Sequence, residues 1–206
     1  MRPQKVVIID YGVGNTHSVS NAIRALDYKV KISSDENLIK EADALILPGV
    51  GAFDEAMSNL KARNIDHILN EQVLVNKKPI LGICVGMQML ATLSEENGVH
   101  NGLNWIEGKV VRFKLPDDFA VPHVGWNDIA FKNQGPLFER NDEHANFYFD
   151  HSYHFECAPE FVAASCNYGI EVTAAVQKGN IFGVQFHPEK SQTNGLKMFR
   201  SFIESV

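Results

Sequence analysis

Cys84 stands between two glycines in Gly82-Ile83-Cys84-Val85-Gly86, at the end of an apolar run and the start of a helix-forming one in PILGICVGMQMLA, residues 79–91. Glycines two places before and after a nucleophile let the chain reverse sharply from strand to helix and push one side chain outward. A thiol is nucleophilic as the thiolate, which the unpaired N–H groups and positive end of a helix start would favour. The amide of Val85 would then help to hold an oxyanion. A second apolar run, Val184-Gln-Phe-His187-Pro-Glu189-Lys190, ends in an imidazole and a carboxylate. These are the two groups that a thiol nucleophile requires. The imidazole takes and returns the proton, and the carboxylate fixes its tautomer and stabilises imidazolium. Each run has an ordinary reading by itself, a small buried cysteine or a strand-end histidine. Their coincidence points to a Cys84, His187, Glu189 triad.

Further residues could complete such a site. Pro48-Gly-Val50-Gly51 follows an apolar strand as the elbow does, and ligands of open α/β sheets gather at the carboxyl ends of strands, so this loop can face Cys84. Otherwise it is a plain β-turn. Gln88 returns to the side of Cys84 one helical turn later, although an isolated helix glutamine is usually just solvated. His151-Ser-Tyr-His154-Phe-Glu-Cys157 is rich in zinc-ligand types. Read as one strand, it sends His151, Tyr153, Phe155 and Cys157 to one face and Ser152, His154 and Glu156 to the other. The histidines then diverge, and no metal is expected. Gly12-Val-Gly-Asn15 lacks the third glycine of a dinucleotide loop, so no organic cofactor is expected either.

The elements that must position these groups follow from periodicity. Apolar runs near 6–10, 29–33, 44–48 and 79–83, alternating with helical stretches, imply a mostly parallel central sheet flanked by helices. VVIID and ALILP are apolar enough for strands buried on both faces. After about residue 105, VVRFK, DIAFK, NFYFDHSYHFEC, VAASCNYG, EVTAAVQ and IFGVQFH read as successive strands, an additional β-rich and partly antiparallel section. A helix from about Gly195 to Glu204 closes the core. The α/β pattern has no repeat or linker, and 206 residues with 45% hydrophobic content suit one domain spanning 1–206. The start of the chain lacks a leader pattern and no run approaches a membrane span, so a soluble, cytoplasmic protein is expected. Cys84, Cys157 and Cys166 give neither an even count nor a CxxC spacing, which argues against a disulfide framework. A net charge of −6 with scattered Lys and Arg argues against nucleic-acid binding.

GICVGMQ followed by FGVQFHPEKS resembles the class I, or triad-type, glutamine amidotransferase family. Asp10-Tyr-Gly-Val-Gly-Asn15, Pro48-Gly-Val-Gly51, Pro122-His-Val-Gly-Trp126-Asn127 and His151-Ser152-Tyr153 are similar to its HisH branch, the glutaminase subunits of imidazole glycerol phosphate synthase. The resemblance implies hydrolysis of glutamine through a Cys84 thioester. It assigns the oxyanion to Val50, Gly51 and Val85, and bound glutamine to Gln88 and the backbone of Ser152 and Tyr153. It further implies a HisF-type (β/α)8 barrel partner that receives the ammonia and converts PRFAR to imidazole glycerol phosphate and AICAR, with Trp126 and Lys190 near the interface. Thr16-His17 and Asp150 depart from the usual pattern of that branch, close to the glutamine pocket and the partner face. The alternatives are a paralogue feeding ammonia to a HisF-like partner for amidation of a surface sugar, a stand-alone cysteine hydrolase, and a noncatalytic regulatory homologue. The last is disfavoured by the intact thiol, base and carboxylate.

Overall fold

The computed structural model describes residues 4–132 and 135–205. Strands and helices alternate through the first half: β1 (Lys5–Ile9), α1 (Thr16–Arg24), β2 (Lys29–Ser33), α2 (Glu36–Glu41), β3 (Ala44–Gly49), α3 (Phe53–Ala62), α4 (Ile65–Asn70), β4 (Ile80–Cys84) and α5 (Val85–Gln88). The second half runs β5 (Leu93–Ser94), β6 (His100–Asn101), β7 (Gly108–Arg112), β8 (His123–Phe131), β9 (Asn146–His151), β10 (Tyr153–Cys157), β11 (Val162–Tyr168), β12 (Ile170–Lys178), β13 (Ile181–Val184) and α6 (Gln192–Glu204).

Nine strands form one sheet in the order β2-β1-β3-β4-β13-β12-β11-β8-β9. From β2 to β13 neighbouring strands pair parallel, and from β13 to β9 they pair antiparallel. The strand at the middle of the parallel part, β3, is buried along its whole length, and so is β4. Helices cover both faces of such strands, which is why their sequences are apolar without alternation. In α3, Phe53, Ala56, Met57 and Leu60 recur at helical spacing and bury one stripe in the core. The parallel register sets Gly49 of β3 beside Cys84 of β4, and Val184 of β13 beside Ile83. Thus the PGVG loop, the elbow and the chain leading to His187 all leave the sheet at one edge. No helix among the described residues is long and apolar enough to cross a membrane.

Two expectations need correction. The run from Asn146 to Cys157 is two strands in different sheets, because β9 ends the large sheet while β10 belongs to a four-stranded sheet in the order β10-β7-β5-β6. The switch occurs at Ser152, whose carbonyl accepts from the Phe113 N–H at 3.0 Å beside the β7 pairing. Alternation therefore resets, and His151 and His154 both pack on the Phe113 ring, with centroids 5.0 and 4.9 Å away. The divergence expected of them does not occur, although no group of three or more His, Cys, Asp or Glu among the described residues could hold a metal ion. The closing helix begins at Gln192 rather than Gly195. Gly195 lies inside it, where a Cβ would stand 1.8 Å from the Pro188 carbonyl oxygen, so the glycine allows a close approach instead of starting the helix.

Candidate active site

Cys84 is the last residue of β4 and the residue before α5, with φ 55° and ψ −113°. A non-glycine residue at positive φ is strained, and such strain clusters at functional turns. The flanking glycines exist for space. A Cβ on Gly82 would meet the Gly86 carbonyl oxygen at 2.6 Å, and one on Gly86 would meet the Leu47 carbonyl oxygen at 1.8 Å. The elbow therefore folds back on itself and presses against β3. The helix that follows is only four residues long, so the dipole expected to favour the thiolate is small and the unpaired first-turn N–H groups remain as its source of positive potential. The helix is short because its next carbonyls are taken from outside. Those of Met89, Leu90 and Ala91 accept from the amides of Leu103, Trp105 and Asn104 at 2.8–3.0 Å.

Beyond β13, alternation sends Gln185 and His187 one way and Phe186 the other. Phe186 stacks on Phe147 with centroids 4.0 Å apart, seating the segment in the core. The His187 N–H donates to the Tyr148 carbonyl at 2.8 Å. The Ser191 hydroxyl donates to the His187 carbonyl at 2.6 Å and accepts from the Tyr148 N–H at 3.0 Å. The His187 ring is thus fixed from both ends of its turn. Its Nδ1 lies 2.9 Å from Glu189 Oε1, and Cys84 stands with it on the wall of one cavity. Burial pulls the imidazole pKa down, but the hydrogen bonds to Cys84 and Glu189, and their charges, outweigh burial and raise it to about 10. Sulfur, imidazole and carboxylate form one connected line at the carboxyl edge of the sheet.

A cavity of about 280 Å3 opens in front of Cys84, lined by Val50, Gly51, Val85, Gln88, Glu96, Ser152, Tyr153, His187 and Lys190. Every expected site residue lines it except Glu189, which lies buried behind His187, and Trp126. Trp126 stands on β8, 45% exposed, edge-on to Tyr148. Lys190 lies over the same Tyr148 ring at 5.4 Å, so the two residues assigned to an interface share one neighbour. The Ser152 carbonyl is engaged by Phe113, and the Tyr153 carbonyl accepts from Gln88 Nε2 at 3.1 Å and from His151 Nδ1 at 2.8 Å. Gln88 Nε2 also donates to Gln185 Oε1 at 3.1 Å, leaving its oxygen as the free acceptor.

Sequence reasoning gave no site role to Gln185, Glu96 or His151, the last of which also lines the cavity. Gln185 is fully buried and its Nε2 donates to Cys84 Sγ at 3.8 Å; its spacing of two from His187 was the available signal. Glu96 is a half-buried carboxylate on the cavity wall, held by the Phe53 N–H at 2.9 Å. Burial raises its pKa, opposed by that bond. Nothing local in SEENG marks it out. A larger depression of about 1310 Å3 lies over β8 and β11 and includes Cys166 and His144. Burial pushes the Cys166 thiol up to about 12, away from the reactive thiolate.

Residues 7–206 match the family described as glutamine amidotransferase class-I. The chain is 48% identical over 203 residues to imidazole glycerol phosphate synthase subunit HisH 2 of Vibrio vulnificus, covering 98% of this chain and 95% of that one. It is 46% identical over 202 residues to the subunit HisH 2 of Pseudomonas aeruginosa, covering 98% and 100%, and 47% identical over 201 residues to the subunit HisH of Listeria monocytogenes serovar 1/2a, covering 97% and 95%. Among solved structures, a glutamine amidotransferase superposes with a TM-score of 0.76 at 19% identity, covering 96% of this chain and 97% of that one. PurLQS of Thermotoga maritima superposes with a TM-score of 0.75 at 18% identity, covering 100% and 99%.

Proposed function

The chain belongs to the class I glutamine amidotransferase family, and from that premise we propose that it hydrolyses glutamine and delivers the ammonia to a HisF-type (β/α)8 barrel synthase subunit. The observation that carries the reading is the connected line of Cys84, His187 and Glu189 at the wall of a cavity of about 280 Å3. Cys84 Sγ attacks the side-chain amide carbon of glutamine, and the resulting oxyanion is held by the Val85 amide and the Val50-Gly51 loop. His187 protonates the departing ammonia, leaving a γ-glutamyl thioester, and then serves as base for the water that releases glutamate. Glu189 orients the ring throughout. Gln88, Ser152 and Tyr153 hold the substrate, and the Glu96 carboxylate suits its α-ammonium group. This chemistry requires no metal or organic cofactor. The residues act as one glutaminase domain, working in the cytoplasm.

The partner reading is supported by the subunit names of the relatives and by the outward side of β8, where Val124 is 54% exposed and Trp126 45%. Lys190 lies at the same mouth. In the histidine pathway that partner forms imidazole glycerol phosphate and AICAR from PRFAR. A second reading is ammonia supply by a paralogue to a HisF-like partner that amidates a surface sugar; the Vibrio and Pseudomonas relatives carry numbered names, subunit HisH 2, as members of a pair would. The test is glutamate release by the chain and by Cys84→Ala, each with and without a HisF-type barrel plus PRFAR. Strong stimulation abolished by the substitution is expected. Activity that depends on Cys84 but ignores barrel and PRFAR would favour the second reading, and activity surviving Cys84→Ala would overturn the mechanism.

A further inference from the structure

A run of hydrogen bonds connects β8 to the nucleophile through His151 and Tyr153 on the cavity wall, and its proton positions are dictated by its ends. Asn127 Nδ2 donates to the Asn167 carbonyl at 2.9 Å, which fixes the orientation of that amide because a carbonyl can only accept. The same nitrogen lies 3.3 Å from His123 Nε2, so Nε2 must be the bare, accepting nitrogen. His123 Nδ1 therefore carries the proton and donates across 3.2 Å to His151 Nε2. At the other end, His151 Nδ1 faces the Tyr153 carbonyl at 2.8 Å, so it too must be the N–H. One arrangement satisfies all four groups, with both rings neutral and both protons on Nδ1. A second proton on either ring would set two donors against each other.

The surroundings enforce the same state. His123 is 2% exposed, sandwiched between Tyr168 and Phe149 at ring separations of 3.9 and 4.7 Å, and His151 is 6% exposed. Burial holds their pKa values down at about 4 and about 3, the latter against the Tyr153 hydrogen bond and helped by the charges of His123, His154 and His187. The Tyr153 carbonyl that ends the run is also the acceptor for Gln88 Nε2, whose second partner, Gln185 Oε1, belongs to the amide that donates to Cys84 Sγ. Without His151 the carbonyl would have one donor fewer and more freedom to tilt. Gln88 and Gln185 would inherit that freedom.

We propose that His123 and His151 are positioning residues for the glutaminase reaction: a pair of neutral, Nδ1-protonated imidazoles that fix the Tyr153 carbonyl and, through it, the two glutamine amides facing Cys84. This inference rests on the glutaminase reading above for its kinetic consequence, but not for its proton arrangement.

Long-range 1H–15N NMR on the folded chain at neutral pH, with no substrate present, reads the tautomers directly. Both rings are expected as Nδ1–H. Finding either as Nε2–H or as imidazolium overturns the proposal, whether or not the protein proves to be a glutaminase. The kinetic arm uses the chain with its barrel partner. His151→Phe keeps the ring against Phe113 but removes both hydrogen bonds, and is expected to lower kcat/KM for glutamine roughly tenfold. His151→Asn, whose amide N–H can occupy the place of Nδ1, should recover most of that loss, as a merely structural role would not require. His123→Phe keeps the stack on Tyr168 and should release His151 to a mixture of tautomers. Wild-type kcat/KM in His151→Phe, or an Asn variant no better than Phe, overturns the proposal. If the wild type itself releases no glutamate, the function fails and the NMR arm alone decides the relay.

Discussion

A histidine that holds its proton to about pH 10 is an acid before it is a base. Burial by itself would leave the His187 imidazole neutral; the bonds and charges of Cys84 and Glu189 reverse that. A raised imidazole pKa favours the first step proposed for His187, donation of a proton to departing ammonia, before it serves as base for water. Because the folded value lies above the ordinary 6.5, the pair stabilises the fold fully below about pH 6.5 and loses that contribution as pH rises through about 10. Cys84→Ala removes the first of the causes that raise the value. It should therefore lower the His187 pKa, seen in an NMR titration of the ring, and flatten the alkaline loss of stability in urea unfolding at a series of pH values. A titration midpoint unmoved by the substitution would mean that the sulfur and imidazole are not paired.

At the scale of elements, the elbow and the PGVG loop use glycine for different reasons, and substitution separates them. Alanine at Gly86 would set a Cβ 1.8 Å from the Leu47 carbonyl oxygen, which only a shift of β3 away from α5 could relieve. Alanine at Gly51 would meet nothing within 4 Å but would have to hold φ +85°. Gly86→Ala should cost about 3 kcal/mol of stability, at the upper end for overpacking. Gly51→Ala should cost roughly 1 kcal/mol while impairing turnover, since the proposed oxyanion loop is stiffened where it borders the cavity. Equal unfolding midpoints for the two variants in urea would contradict this. The same elements show what was legible in sequence. β1, β3 and β4 could be read because strands buried on both faces are apolar without interruption, and Gly82-Ile-Cys84-Val-Gly86 because a tight reversal needs residues without side chains. The strand break at Ser152 and the brevity of α5 were not legible. Each is decided by backbone partners remote in sequence, Phe113 in one case and residues 103–105 in the other.

At the scale of the whole molecule, the triad, the cavity and the exposed side of β8 all gather at one end of the sheet. That arrangement suits an enzyme whose product must pass to a second protein, because ammonia released into bulk water is lost to the acceptor. Val124 and Trp126 alternate outward with the buried His123 behind them, so the same strand carries an apolar outer surface and one end of the hydrogen-bonded run toward Cys84. If this surface meets the barrel, Trp126 is its best anchor, being large, half exposed, and braced by Tyr148 so that little freedom is lost on binding. Trp126→Ala should leave the unfolding midpoint of the isolated chain nearly unchanged, as surface truncations do, within about 0.5 kcal/mol. It should weaken association with a HisF-type barrel by about 2 kcal/mol, roughly thirtyfold in Kd by titration calorimetry. Undiminished affinity would move the interface to another face, whereas a comparable loss of stability in the isolated chain would make Trp126 a structural residue.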